Sequence, residues 1–374
     1  MYRHIRMVLL NQMKTKNKTR KRRVPPAQEG TKWPTGSIVY ICGSTKLAFS
    51  PKSDDLGGSE QAVVHLSKAW VAAGKMVVVF GNVKECKIGG VEYRHISKLN
   101  LRDTFCTAIF WRSYGVRLIP LVQARLRIVD LHDSWDPKSY VSPTELLEKV
   151  DLFMVKSKYH RSLYPYIPDA KIKIVMNGVQ MDLCEPIART NADNIREPHR
   201  LIYASTYERG LEPMLKYSWP KIIAAIPDAE LHIYYGMNRL AKTPLGARLK
   251  QLFKQKGVKE HGRVPLEQIA EEKCRSAMHF YLSNSETEID CISVRESLVC
   301  GAVPILGTDY VFKERDGIHI SGSTDDPNTY KKAASTIIRL LKDQTMLAKK
   351  RAELKDSKTI ISWEQVAKKW LSYM

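Results

Sequence analysis

No apolar run in this chain approaches the ~18 residues that a membrane-crossing helix requires. The opening M-Y-R-H-I-R-M-V-L-L-N-Q has too short an apolar segment for a secretory signal, and no small-residue cleavage site follows it. Cysteine is sparse: seven residues, an odd number, with no C-x-x-C pair. That argues against a disulfide scaffold or a structural zinc site and suits a reducing, cytoplasmic compartment. No internal repeat is visible, which argues against a solenoid. The glycines never fall as G-x-G-x-x-G, so a dinucleotide fingerprint is not supported.

A chain of 374 residues is too long for one ordinary core, and two domains are expected. An apolar content of 44% supports a folded protein. The formal charge of +21 is unevenly spread: residues 1–35 hold ten Lys/Arg and one acid, a net +9. The rest is moderately basic, as expected for a diphosphate ligand or an anionic surface. The run K-T-K-N-K-T-R-K-R-R, followed by V-P-P-A, reads as a basic tail over 1–35 with an extended, proline-bearing end. It fits a solvated tail, and equally fits peripheral contact with an anionic membrane, an import receptor or nucleic acid. Aromatics are not interleaved with it, so a base-stacking platform is not evident and a nucleic-acid-binding protein is the less favoured reading.

The remainder reads as strand–helix units. Short apolar runs at 37–42, 75–80, 92–96, 107–111, 127–131, 151–155 and 171–175 predict strands, with a helix over 61–73 capped by Ser59. A polar, proline-bounded linker at 186–198 divides a first domain (36–185) from a second (199–357). The second has strands at 200–204, near 230–235, at 277–282 and at 303–306. A last helix within 358–374 starts at Ser362 and carries Trp363 and Trp370 on one face. The class is α/β, with two Rossmann-like, doubly wound domains facing a cleft.

The stretch 283–307 carries the strongest chemical pattern. Serines end a buried strand, Glu288 lies in the following loop, and Glu296 follows after seven intervening residues, inside a helix stopped by Gly301. The helix start at Cys291, Ile292 and Ser293 suits a donor phosphate, Asp290 beside it is a further donor-binding candidate, and Glu296 could accept from paired ribose hydroxyls. In the loop after 200–204, Ser205 and Arg209, beside Gly210, place a hydroxyl and a cation where a diphosphate would bind. Gly57 and Gly58 precede a helix, which lets backbone approach a ligand. His132, next to Asp133 at a strand's carboxyl end, could orient substrate or move a proton.

Glu288-x(7)-Glu296 followed by S-L-V-C-G-A-V-P-I, Gly57-Gly58-Ser59-Glu60, Asn177-Gly178-Val179 and Arg209-Gly210 together resemble the motifs of the retaining GT-B glycosyltransferases of family 4. The resemblance spans roughly 37–374. It implies a final helix that returns to the first domain, Glu288 near the transferred sugar and Glu296 on the nucleotide ribose. Ser205, Arg209 and the helix start would hold the diphosphate, and the loop with Arg263 and Val264 would run beside the base. Three positions depart from the family pattern. Ile289-Asp290-Cys291 stands where Gly-Phe-Gly is usual, Ala204 where an Arg is usual, and Arg112 near the place of a histidine. The implied reaction moves a hexose or similar sugar from a UDP- or GDP-linked donor to a hydroxyl of a glycan or lipid-linked acceptor, with no metal or other cofactor. The missing Asp-x-Asp motif agrees with that. A nucleotide-sugar epimerase or hydrolase on the same fold is the rival enzyme.

Overall fold

Runs such as I-V-Y-I at Ile38–Ile41 and V-V-V-F-G at Val77–Gly81 are buried at every position, the pattern of parallel strands covered on both faces. In the computed structural model, which describes residues 29–43, 49–52, 56–134, 136–185, 195–283 and 285–374, such runs build two sheets. The first contains β1 (Ile38–Ile41), β2 (Val77–Gly81), β3 (Cys86–Ile88), β4 (Val91–His95), β5 (Thr104–Trp111), β6 (Gln123–Asp130), β7 (Leu152–Val155) and β8 (Ile172–Ile174). Its order is β3-β4-β2-β1-β5-β6-β7-β8, parallel except for the β3–β4 hairpin. The second contains β9 (Glu197–Ala204), β10 (Glu230–Tyr234), β11 (Val258–Gly262), β12 (Ser276–Tyr281), β13 (Val303–Leu306) and β14 (Ile318–His319). Its order is β11-β10-β9-β12-β13-β14, and every pairing is parallel. Apart from the β3 hairpin, the order of each sheet reverses between β1 and β5 and between β9 and β12, and such switch points are where open α/β sheets bind ligands.

The final helix, Trp363–Leu371, packs on the first domain rather than the second. Trp370 meets Trp70 edge-on at 5.5 Å, and Trp363 stacks on His65 at 5.8 Å. Ser362 caps this helix through a full capping box with Gln365.

Several boundaries differ from expectation. Residues 29–35, assigned to the tail, belong to the first domain. Trp33 packs on Phe105, its Nε1 donates to Asp103 at 2.9 Å, and Lys32 bridges to Thr104. The rest of the tail, 1–28, lies outside the described residues, as does 186–194 of the linker. Strand β9 already begins at Glu197, inside the expected linker. Ser59 does not cap its helix: the helix starts at Gly58, with Gly57 as N-cap and no side-chain cap bond. Short edge strands β3, β11 and β14 escaped the apolar-run criterion because they are only partly buried.

Candidate active-site cleft

The loops at the two switch points face each other across a cleft of about 540 Å³. From the first domain come Gly57–Glu60, Arg112 after β5, and His132–Asp133 after β6. From the second come Ser205 and Arg209 after β9, Arg263–Val264 after β11, Glu288–Ser293 after β12, and Glu296 one turn into helix Ile292–Cys300. Of the catalytic, donor-side and acceptor-side candidates named from the sequence, Gly210 alone does not line it. Its place is structural: at φ +82° it lies so close to β12 that a Cβ would come 2.4 Å from the Leu282 carbonyl oxygen. Only glycine tolerates both conditions.

Arg209 and Glu288 form an ion pair through Nη1 and Oε2. Burial alone would lower the Arg209 pKa, but the facing Glu288 carboxylate overrides it and the net shift is upward. The other Glu288 oxygen accepts the Cys291 N–H at 3.0 Å. That helix-start donor is therefore already engaged, which corrects the expectation that it faces a phosphate. Tyr281 donates to Glu288 at 3.3 Å and meets the Ser205 hydroxyl at 3.0 Å. Eight residues after Glu288, Glu296 is held by Lys273, whose ammonium also donates to the Ser293 carbonyl at 3.0 Å. Arg263 lies over the Tyr235 ring at 5.0 Å, and both line the cleft.

On the first-domain side His132 is almost fully buried, with Nδ1 3.1 Å from Asp130 Oδ2 and Nε2 3.1 Å from Asn177 Oδ1. Asp130 also accepts from Lys156 at 2.6 Å and from the Tyr40 hydroxyl. Burial pushes the Asp130 carboxyl up, but His132 and Lys156 more than offset this and hold it below the usual carboxylate range. Arg112 is fixed at φ +52° with a two-pronged bond to Asp133, at 2.6 and 2.7 Å, and it lies 3.6 Å from Glu60.

Asp290 departs from its expected donor contact. Its Oδ2 accepts from Arg295 at 2.8 Å and from the Asn177 N–H at 3.0 Å, and its Oδ1 accepts from Arg315 at 2.9 Å. Both oxygens are occupied by the protein itself, because a buried carboxylate requires such partners. Lys273, Tyr281 and Asp130 sit in ordinary helical and strand contexts that no local sequence pattern marks, and Asn177 is marked only as part of the Asn177-Gly178-Val179 motif, with no site role attached to it.

No family model matches the chain, and no curated protein matches it. Solved structures do. HepE from Anabaena, in complex with UDP and glucose, is 11% identical with a TM-score of 0.64, covering 90% of this chain and 98% of that one. Sucrose-phosphate synthase from Thermosynechococcus elongatus is 14% identical with a TM-score of 0.66, over 90% and 98%. A glycosyltransferase from Rickettsia africae is 11% identical with a TM-score of 0.65, over 91% and 98%. At these identities the likeness is one of fold, and the fold is GT-B.

Proposed function

We propose that the protein is a retaining glycosyltransferase of the family 4 type. It would move a hexose or similar sugar from a UDP- or GDP-linked donor to a hydroxyl of a glycan or lipid-linked acceptor. One observation carries this reading: two acid–base pairs, Arg209–Glu288 and Lys273–Glu296, at the second domain's switch point, facing a buried histidine across the cleft. A nucleotide-binding GT-B neighbour, HepE with UDP and glucose, supports it.

In this reading the donor diphosphate competes with Glu288 for Arg209. The guanidinium turns to the phosphates, with Ser205 and the start of helix Ile292–Cys300 beside them, and stabilises the charge that develops as the sugar–phosphate bond breaks. Glu288 is thereby freed to accept from sugar hydroxyls, and Glu296, braced by Lys273, takes the ribose. The acceptor approaches from the Gly57–Gly58 and Arg112 side. Attack comes from the face the leaving group departs, and the leaving phosphate takes the acceptor's proton. Neutralisation by side chains removes the need for a metal or other cofactor. A cytoplasmic site of action, with the basic tail touching an anionic membrane, completes the proposal. No helix among the described residues is long and apolar enough to cross a membrane.

The test is a thermal-shift screen with UDP, GDP, ADP and CMP and their sugars, on the wild type and on Glu296→Ala and Arg209→Ala. Stabilisation by one nucleoside diphosphate, lost in both variants, is expected. No shift with any nucleotide at millimolar concentration would defeat the reading.

A further inference from the structure

The chain passes between the domains twice, outward after Asn177 and back before Ser362. The two crossings pair with each other: the Val179 N–H donates to the Ile361 carbonyl at 2.8 Å, and Val179 bridges to Ser362. Gly178 lies against Trp363 so closely that a Cβ would come 2.6 Å from the indole. The wholly buried guanidinium of Arg295 holds both crossings at once. Its Nη1 donates to the carbonyls of Asn177 at 2.7 Å and Thr359 at 3.3 Å. Its Nη2 donates to Asp290, which also receives the Asn177 N–H.

The same residues join the two halves of the candidate site. The Asn177 side chain meets His132 Nε2, and Asp290 lies two residues beyond Glu288 in the loop after β12. That loop is also gripped from the first domain at two other carbonyls. Ser157 donates to Ile289 at 2.7 Å, and Tyr159 donates to Glu286 at 2.6 Å. Tyr281, which donates to Glu288, and Lys273, which holds Glu296, sit on the second domain and do not pass through this joint.

We infer that Asn177, Asp290 and Arg295 are the pivot about which the two domains turn, and that they act as positioning residues setting the spacing of His132 and Glu288. The kinetic consequence rests on the transferase reading; the mechanical one does not. Rotation at a buried ion cluster tied by this many hydrogen bonds has few permitted settings, because each unmade bond leaves a charged group short of a partner. The loop after β12 therefore moves with the joint and carries Glu288 with it.

The experiment compares wild type with Asp290→Asn, which keeps shape and removes charge. The paired Asp290→Asn/Arg315→Gln also removes one of the two stranded cations and secures a folded variant. UDP and GDP affinities are measured by calorimetry. Release of nucleotide from UDP-glucose and GDP-glucose is followed with water as acceptor: the bond from glucose C1 to the phosphate oxygen breaks, water oxygen bonds to C1, and its proton goes to the phosphate. Hydrogen exchange at the Asn177 amide is measured alongside. Nucleotide affinity within threefold of wild type, turnover lower by thirtyfold or more at similar KM, and Asn177 exchange faster by tenfold or more are expected. Affinity and turnover falling together would make Asp290 a donor ligand and overturn the inference, as would unchanged turnover. If the wild type binds neither nucleotide, the transferase reading fails on its own. Asn177 exchange then decides the pivot alone, and protection equal to wild type in both variants refutes it.

Discussion

Lys273→Met tests the least visible part of the candidate site. The Lys273 side chain is 1% exposed, and Glu296 is 18% exposed toward the cleft. Burial alone would lower the lysine pKa, but the facing Glu296 overrides it and the net shift is upward, so the ammonium keeps its proton. Removing one partner of a fully buried pair costs roughly 3–5 kcal/mol. Cleft water can reach the remaining Glu296 carboxylate, which favours the lower figure, about 3 kcal/mol, and methionine refills the volume and adds little cavity cost. For a domain of this size each kcal/mol lowers the melting temperature by about 2–4 °C, so a drop of about 6–12 °C is expected by calorimetry. Glu296→Gln should cost more, since it strands a wholly buried ammonium. The double variant should recover much of the loss because no buried charge is left unpaired. In Glu296→Gln the lysine's folded-state pKa falls below its unfolded value, so the defect should shrink as pH rises. A Lys273→Met loss under about 1 kcal/mol, or strictly additive single effects, would refute the reasoning.

Two further outcomes follow from single positions. Gly210→Ala places a Cβ 2.4 Å from the Leu282 carbonyl oxygen at φ +82°. A loss of about 2–4 kcal/mol is expected, with weaker nucleotide affinity because the neighbouring Arg209 is displaced, and an unchanged melting temperature would count against it. Burial, followed by nearby Lys156 and His132, lowers the pKa of His160 to about 3. The unfolded chain takes up that proton near pH 6.5 and the folded one does not. This site's contribution is therefore complete above about 6.5 and falls by up to ~1.4 kcal/mol per pH unit toward pH 3. Melting temperature against pH should show this decline in the wild type and a shallower one in His160→Gln, whereas parallel curves would exclude it.

What the sequence disclosed follows from what is local in it. Fully apolar runs such as V-V-V-F-G and V-P-I-L declare strands buried on both faces, and both were placed within a few residues. Gly301 takes the left-handed conformation that its position after helix Ile292–Cys300 suggests. Edge strands were missed because only central strands need continuous apolar cover: in β11, V-K-E-H-G is polar because one side faces water. Ser59 failed as a cap because the chain turns into the helix earlier, at Gly57, with the Glu60 carboxylate folded back beside it. The cleft's positions were legible from strand ends. The partners of its side chains were not, since Glu296 is held by Lys273, 23 residues away, and Asp290 meets Asn177 from 113 residues away.

The Ile289-Asp290-Cys291 departure shows how such partners can be reasoned about once the fold is known. A carboxylate placed in this buried loop must be compensated, and Arg295 and Arg315 do so, one from the helix that carries Glu296 and one from the segment after β13. Together the three leave one excess positive charge, buried beneath the loop that bears Glu288. Burial works against the charge on Arg295 and lowers its pKa, so the cluster is held at a cost that the interdomain bonds must offset. An excess cation here favours an anion in the cleft above it, and it makes the acid at 290 inseparable from the arginines at 295 and 315. A change at any one of the three should be tolerated only with a compensating change at another.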